Sequence, residues 1–133
     1  MFNTPLERLA IGISHAEGWM PAGFYSGDAH GTLSYQNHNP GNLRESIFQV
    51  GVRDGFAVFD NDLTGLMGLI YQWYLYATGR NSLVNPNESI AAAIAVYAGL
   101  RGAENTPNYQ NYVSTVSQWS GLDVNQPVTS LLS

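Results

Sequence analysis

Four times along this chain a helix-start signal is followed, a helix's length later, by a glycine stop, and that punctuation limits what the chain can fold into. Thr4-Pro5-Leu6-Glu7 is a capping box with Pro in the first helical turn, and Leu6, Leu9, Ala10 and Ile13 follow at helical spacing toward Gly18. Asp60 or Asn61 can cap a second helix through Leu63, Leu66, Met67, Ile70 and Trp73 to Gly79. It is apolar nearly all round, which predicts a central buried helix. Asn85-Pro86-Asn87-Glu88 repeats the cap, Pro and acid pattern before Ile90, Ala91, Ile94 and Tyr97, with a stop at Gly99. Thr106-Pro107 opens a fourth helix through Tyr109, Tyr112, Val113, Val116 and Trp119 to Gly121. Between the first two helices, Ile47–Val52 and Phe56–Phe59 flank Arg53-Asp54-Gly55 and read as a small hairpin. The tail from Leu122 to Ser133 is expected to pack as an irregular cap. The expected architecture is one mainly α (α+β) domain over residues 1–133, helices around a β-hairpin insert.

A chain of 133 residues buries enough surface to fold without a metal or disulfide. The absence of Cys removes disulfide scaffolds, thiolate metal sites and thiol nucleophiles. All five cationic side chains are Arg (8, 44, 53, 80 and 101) against ten acids, a net charge of -5. No basic patch is left to neutralise phosphates, so nucleic acid is not an expected partner. The most apolar stretch, Leu66 to Ala77, is too short to span a bilayer. Met1–Pro5 lacks the basic start and apolar run of a secretory signal, so export is expected to use another route or a removed or separate element. The neutral polar surface, interleaved with aromatics, suits a polyhydroxyl ligand such as a glycan.

Glu17 is the residue that demands explanation. At about 100° per residue it falls within ~20° of the Leu6 direction, on the apolar stripe of the first helix. It also lies in the last turn, where the partial negative charge of the helix end disfavours an anion. Both effects raise a carboxyl pKa, as a general acid near neutral pH requires. The alternative is a buried Glu paired with Arg44 or another Arg. His15 points to the opposite, exposed face.

The second feature is Gln36-Asn37-His38-Asn39-Pro40-Gly41-Asn42-Leu43-Arg44. Pro-Gly at its centre predicts a type II turn with Asn39 and Asn42 at its ends, holding amides that can bind acetamido and hydroxyl groups. The alternative is a well-made surface turn. Tyr97 and Tyr109 flank a Gly-rich link and face either a groove or the core. His15, His30 and His38 lack ligand-type spacing, so neither metal nor other cofactor is expected. No serine sits in a Gly-x-Ser-x-Gly elbow.

Taken together, these elements resemble the lysozyme-like superfamily, in its goose-type lysozyme and soluble lytic transglycosylase branch, including phage-associated muralytic domains. Ala10–Trp19 resembles the helix whose last turn carries that family's catalytic Glu. Asn37-His38-Asn39-Pro40-Gly41-Asn42-Leu43-Arg44 resembles the Asn-Asn-Pro-Gly-Asn-Leu-Arg element of phage-type members. Ala95-Val96-Tyr97-Ala98-Gly99 resembles the Tyr-Asn-Ala-Gly motif, and Glu104-Asn105-Thr106 with Tyr109 and Val113 resembles the Glu-Thr and Tyr-Val pattern after it. The four elements cover residues 9–124. The chain departs from the pattern at Ala98, which replaces the motif Asn, and in having no Gly-Leu-Met-Gln element between the first helix and the hairpin.

The resemblance implies a lysozyme-like fold and cleavage of the β-1,4 bond between N-acetylmuramic acid and N-acetylglucosamine, with Glu17 as the single catalytic acid. Gln36, Asn37, Asn39, Asn42, Arg44, Tyr97 and Tyr109 would contact the glycan strand. A hydrolytic muramidase would add Asp28, Glu45 or Asp54 to position water, and a wall-binding or virion module would keep the fold without catalysis. In each case the protein acts at the cell wall. Its negative charge is repelled by an anionic wall, so a delivery particle or secretion apparatus is expected to place it there.

Overall fold

A computed structural model describes residues 4–19 and 32–133. Its elements in chain order are α1 (Pro5–Ala16), α2 (Leu33–Gln36), β1 (Gly51–Arg53), β2 (Phe56–Val58), α3 (Asp62–Ala77), α4 (Ile90–Tyr97) and α5 (Pro107–Ser120), then a 3-10 turn over Val128–Leu132. The architecture is mainly α with one two-stranded antiparallel sheet. Among the described residues no helix is long and apolar enough to cross a membrane.

The expected caps operate, with one change. The Thr4 hydroxyl accepts the Glu7 N–H and the Glu7 carboxylate takes the Thr4 N–H, each at 3.3 Å. Asn61 caps α3 and Thr106 caps α5 in the same manner. At α4 the cap is Ser89, directly before the first apolar residue. Asn85 instead folds an Asx turn, its side chain accepting the Asn87 N–H at 2.9 Å. α2, a single turn capped by Thr32, adds to the four expected helices and lies between α1 and the hairpin.

The tail is more ordered than an irregular cap. The first N–H groups of a helix have no partner inside it, and those of Ile90 and Ala91 donate to the carbonyls of Gln126 and Val124 at 2.9 and 2.8 Å. Val128 and Leu131 are thereby carried into the core.

That core joins Leu9 and Ile13 of α1, Leu69 and Trp73 of α3, Ile90 and Ile94 of α4, and Val116 of α5. α3 is only half-buried: Leu63 and Met67 are exposed, so its apolar circumference does not make it the buried centre. α1 and α5 touch backbone to backbone, since a Cβ on Gly12 would lie 2.7 Å from the Val116 carbonyl oxygen. A smaller core of Leu43, Ala57 and Phe59 sits under the hairpin. There Asp54 and Gly55 both take positive φ (53° and 82°), the two-residue type I′ turn that matches strand twist. The strands are shorter than expected because only Gly51–Arg53 pairs with Phe56–Val58.

The Asn-rich loop is pinned against the start of α3. A Cβ on Gly65 would lie 1.8 Å from the His38 carbonyl oxygen, and both groups are backbone, so no rotamer change relieves the overlap. Gly65→Ala should therefore destabilise by about 3 kcal/mol or more. Urea unfolding checks it, and an unchanged midpoint would mean that the loop moves aside freely.

Candidate active site

Glu17 is where α1 ends. Its own N–H still donates to the Ile13 carbonyl at 2.8 Å, whereas Gly18 turns left-handed with φ of 71°. The N–H groups of Gly18 and Trp19 then return to the carbonyls of His15 and Ser14 at 3.2 and 3.1 Å, closing a Schellman motif. The helix stop thus fixes the backbone that carries the carboxylate.

Two neutral groups hold the carboxylate from opposite sides in sequence. The Tyr112 hydroxyl of α5 donates to Oε2 at 2.5 Å, and Asn42 Nδ2 reaches Oε1 at 3.5 Å. The alternative pairing with Arg44 is not formed: that guanidinium lies exposed over the Phe56 ring, 4.4 Å from its centroid. Burial raises the Glu17 pKa, and the hydrogen bonds from Tyr112 and Asn42 limit the rise. The α1 C-terminus acts with burial, since it too disfavours the anion.

Around this carboxyl the tyrosines stay protonated. Burial, first, then the Glu17 charge, push the Tyr112 and Tyr97 hydroxyls well above the ordinary tyrosine range. Tyr97 donates to the carbonyl of Gly41 and so ties α4 to the Asn-rich loop next to Asn42. A hydroxyl that remains a donor stabilises Glu17 most when the carboxyl has lost its proton.

The Asn-rich turn departs from expectation in geometry and in role. The Asn42 N–H does donate to the Asn39 carbonyl at 2.9 Å, closing the turn at the expected ends. Gly41, however, does not take positive φ; in this loop His38 and Asn42 do, at 51° each, so the turn is not type II. Glycine is needed at 41 for space: a Cβ there would meet Leu69 Cδ1 at 2.6 Å and the Tyr97 hydroxyl at 2.7 Å.

Asn39 is wholly buried and faces inward. Its Nδ2 donates to the carbonyls of Leu43 and Ala57, and its Oδ1 accepts the Leu43 N–H, all at 2.9 Å. Asn39 is therefore a loop-building residue, not a glycan contact. Asn37 is also wholly buried, its carbonyl accepting the Phe59 N–H at 2.9 Å, and its amide does not reach the surface. Tyr109 donates to the Ala91 carbonyl at 2.6 Å, which joins α5 to α4, and lines a shallow cleft on α5 away from Glu17. Gln36 is exposed at the end of α2. Of the residues singled out in the sequence, Glu17, Asn42 and Tyr97 converge; Asn39, Arg44 and Tyr109 make their contacts elsewhere, and the Asn37 amide is buried with no hydrogen-bond partner among the described residues.

Tyr112 completes the group without having been singled out. It stands on the stripe Tyr109, Tyr112, Val113 and Val116, which faces α1, and pairing that stripe with the one carrying Glu17 would have revealed it. His15 is also placed differently from expectation. Its ring stacks on Trp119 at 3.9 Å between centroids and 5° between planes. Glu45 is exposed and lines a cleft of about 550 Å³ with Ser46, Gln49, Tyr71 and Gln72, and Asp54 is exposed in the hairpin turn. Asp28 and His30 lie outside the described residues. His38 bonds Asp62 at 2.8 Å.

Comparisons with protein-family models, curated proteins and solved structures return no match.

Tyr112→Phe supplies a test of how the site works. Its hydroxyl favours the Glu17 carboxylate, so removing it should raise the Glu17 pKa further. If activity requires protonated Glu17, the alkaline limb of the pH–rate profile moves to higher pH in the variant. A limb that stays in place would separate Tyr112 from the reacting group.

Proposed function

We propose that this domain is a lysozyme-like lytic transglycosylase that cleaves the MurNAc-β-1,4-GlcNAc bond of peptidoglycan, with Glu17 as its acid and base. The observation that carries this reading is a half-buried carboxyl at a helix end, paired with no cation among the described residues and held by two neutral donors. Glu17 protonates the glycosidic oxygen as an oxocarbenium-like centre develops at the sugar. The neighbouring acetamido group stabilises that centre. The carboxylate then takes the proton of the sugar's 6-hydroxyl, which closes on the anomeric carbon and leaves a 1,6-anhydro end. Tyr112 and Asn42 keep the carboxyl aimed in both protonation states.

Digestion of purified peptidoglycan followed by mass spectrometry of the fragments tests this directly. The expected products are 1,6-anhydro ends, one water lighter than hydrolysed ends. Hydrolysed ends, lost on Glu45→Ala or Asp54→Ala, would make the protein a hydrolytic muramidase. Intact glycan that nevertheless binds the protein would make it a wall-binding module. We place its action at the cell wall, with delivery by a particle or secretion apparatus, because a net charge of -5 gives no steering toward an anionic polymer.

A further inference from the structure

On the outer seam of α1 and α5 lies a second small cleft, about 160 Å³ in volume, lined by His15, Ala16, Asn108, Asn111, Tyr112 and Thr115. Its α5 residues, Asn108, Asn111, Tyr112 and Thr115, follow one stripe at 3.6 residues per turn, and Trp119 continues that face just beyond the cleft, against His15. The stripe runs about 17 Å along the helix at 1.5 Å per residue. At its end Trp119 is 52% exposed although its ring is stacked parallel to His15, so a flat aromatic surface is held rigid yet left open.

The chemistry of the lining selects its ligand. Among the described residues no carboxylate, Arg or Lys borders the cleft, so these offer neither an ammonium nor a phosphate a counter-charge. Asn108 and Asn111 are exposed and their side-chain amides make no hydrogen bond within the described residues. Thr115 donates its hydroxyl to the Asn111 carbonyl at 2.9 Å and keeps lone pairs for a donor. Burial lowers the His15 pKa, which keeps the ring neutral. An aromatic wall beside uncharged donors and acceptors fits a neutral ring with an apolar face and amide and hydroxyl edges.

We propose that this seam is a glycan subsite for an N-acetylated hexosamine, with Trp119 and His15 as the stacking platform and Asn108, Asn111 and Thr115 as the polar contacts. The subsite rests on the glycan substrate proposed above but not on Glu17 being catalytic. It also has a line to the reaction: Tyr112 lines the cleft and its hydroxyl holds Glu17 at 2.5 Å. A sugar seated here packs on the residue that positions the acid.

The test is a titration of the Glu17→Gln chain with tri-N-acetylchitotriose, followed by amide chemical-shift mapping. Cellotriose, which lacks the acetamido groups, serves as the comparison. The expected result is perturbation at His15 and along Asn108–Trp119, weaker with cellotriose. Trp119→Ala should lower the affinity about three- to tenfold, the range for losing one aromatic contact. Mapping on the parent chain keeps the proposal open to refutation even if the Trp119 variant is poorly folded. Perturbation confined to Glu17, Asn42 and their neighbours overturns the subsite and leaves the glycan reading standing. Perturbation of the seam in a protein whose wild type releases no peptidoglycan fragments supports the subsite and overturns the catalytic reading. No perturbation by either oligosaccharide overturns the subsite.

Discussion

Replacing Glu17 with Gln should abolish wall lysis, by about 10²–10⁴-fold for loss of a general acid, while the protein folds and becomes more resistant to denaturation at neutral pH. The amide matches the carboxyl in shape and still accepts the Tyr112 hydroxyl, but it has no proton to deliver. The stability gain follows from linkage. Burial raises the Glu17 pKa in the folded state, so the carboxyl's contribution is fully present below its unfolded pKa and is lost as pH rises through the folded one. Gln suffers no such loss. Denaturation midpoints of the two proteins should therefore coincide in acid and separate toward neutrality, with the Gln variant higher. A tenth of the lytic activity surviving would move the chemistry to another carboxylate, and a variant that is less stable at pH 7 would make Glu17 a structural residue.

Asn39→Ala should have the largest effect on stability among the polar positions. The substitution leaves the Leu43 N–H and the Ala57 carbonyl without their partner inside the protein, while the Leu43 carbonyl keeps the Ala57 N–H. At about 1–3 kcal/mol for each buried polar group left unpaired, the loss is about 2 kcal/mol or more. The loop that carries Gly41 and Asn42 would loosen with it, so activity falls because the fold falls. Thermal unfolding measured beside lysis decides the matter: a normal melting temperature with lost activity would return Asn39 to the glycan.

Helix positions were legible because each is written locally. Thr4, Asn61 and Thr106 cap their helices within three residues, and Gly121 ends α5 in the left-handed conformation. Glu17 was legible for a related reason, since its place on the stripe depends only on counting from Leu6. What the sequence withheld is tertiary. Asn39 reads as an exposed turn residue until Leu43 and Ala57 fold over it, and Tyr97 and Tyr109 read alike although one meets the loop and the other α4. Gly41 has the sequence of a left-handed turn position, yet it is glycine because Leu69 and Tyr97 leave no room. The docking of the tail is invisible until the unpaired N–H groups of α4 are in place to receive it.

The backbone contact between α1 and α5 bears on when the surroundings of Glu17 can form. Glu17 and the hydroxyl that holds it are 95 positions apart along the chain, and Gly12 has nothing to close on until Val116 has been synthesised. Translation proceeds from the N-terminus, and pairings this distant are slow to form. Glu17 therefore lacks its partner on the far side of the seam until α5 has been made, and its environment is assembled only when that helix packs on α1. A chain cut before α5 would carry all of α1 and still lack the Tyr112 hydroxyl that holds Glu17.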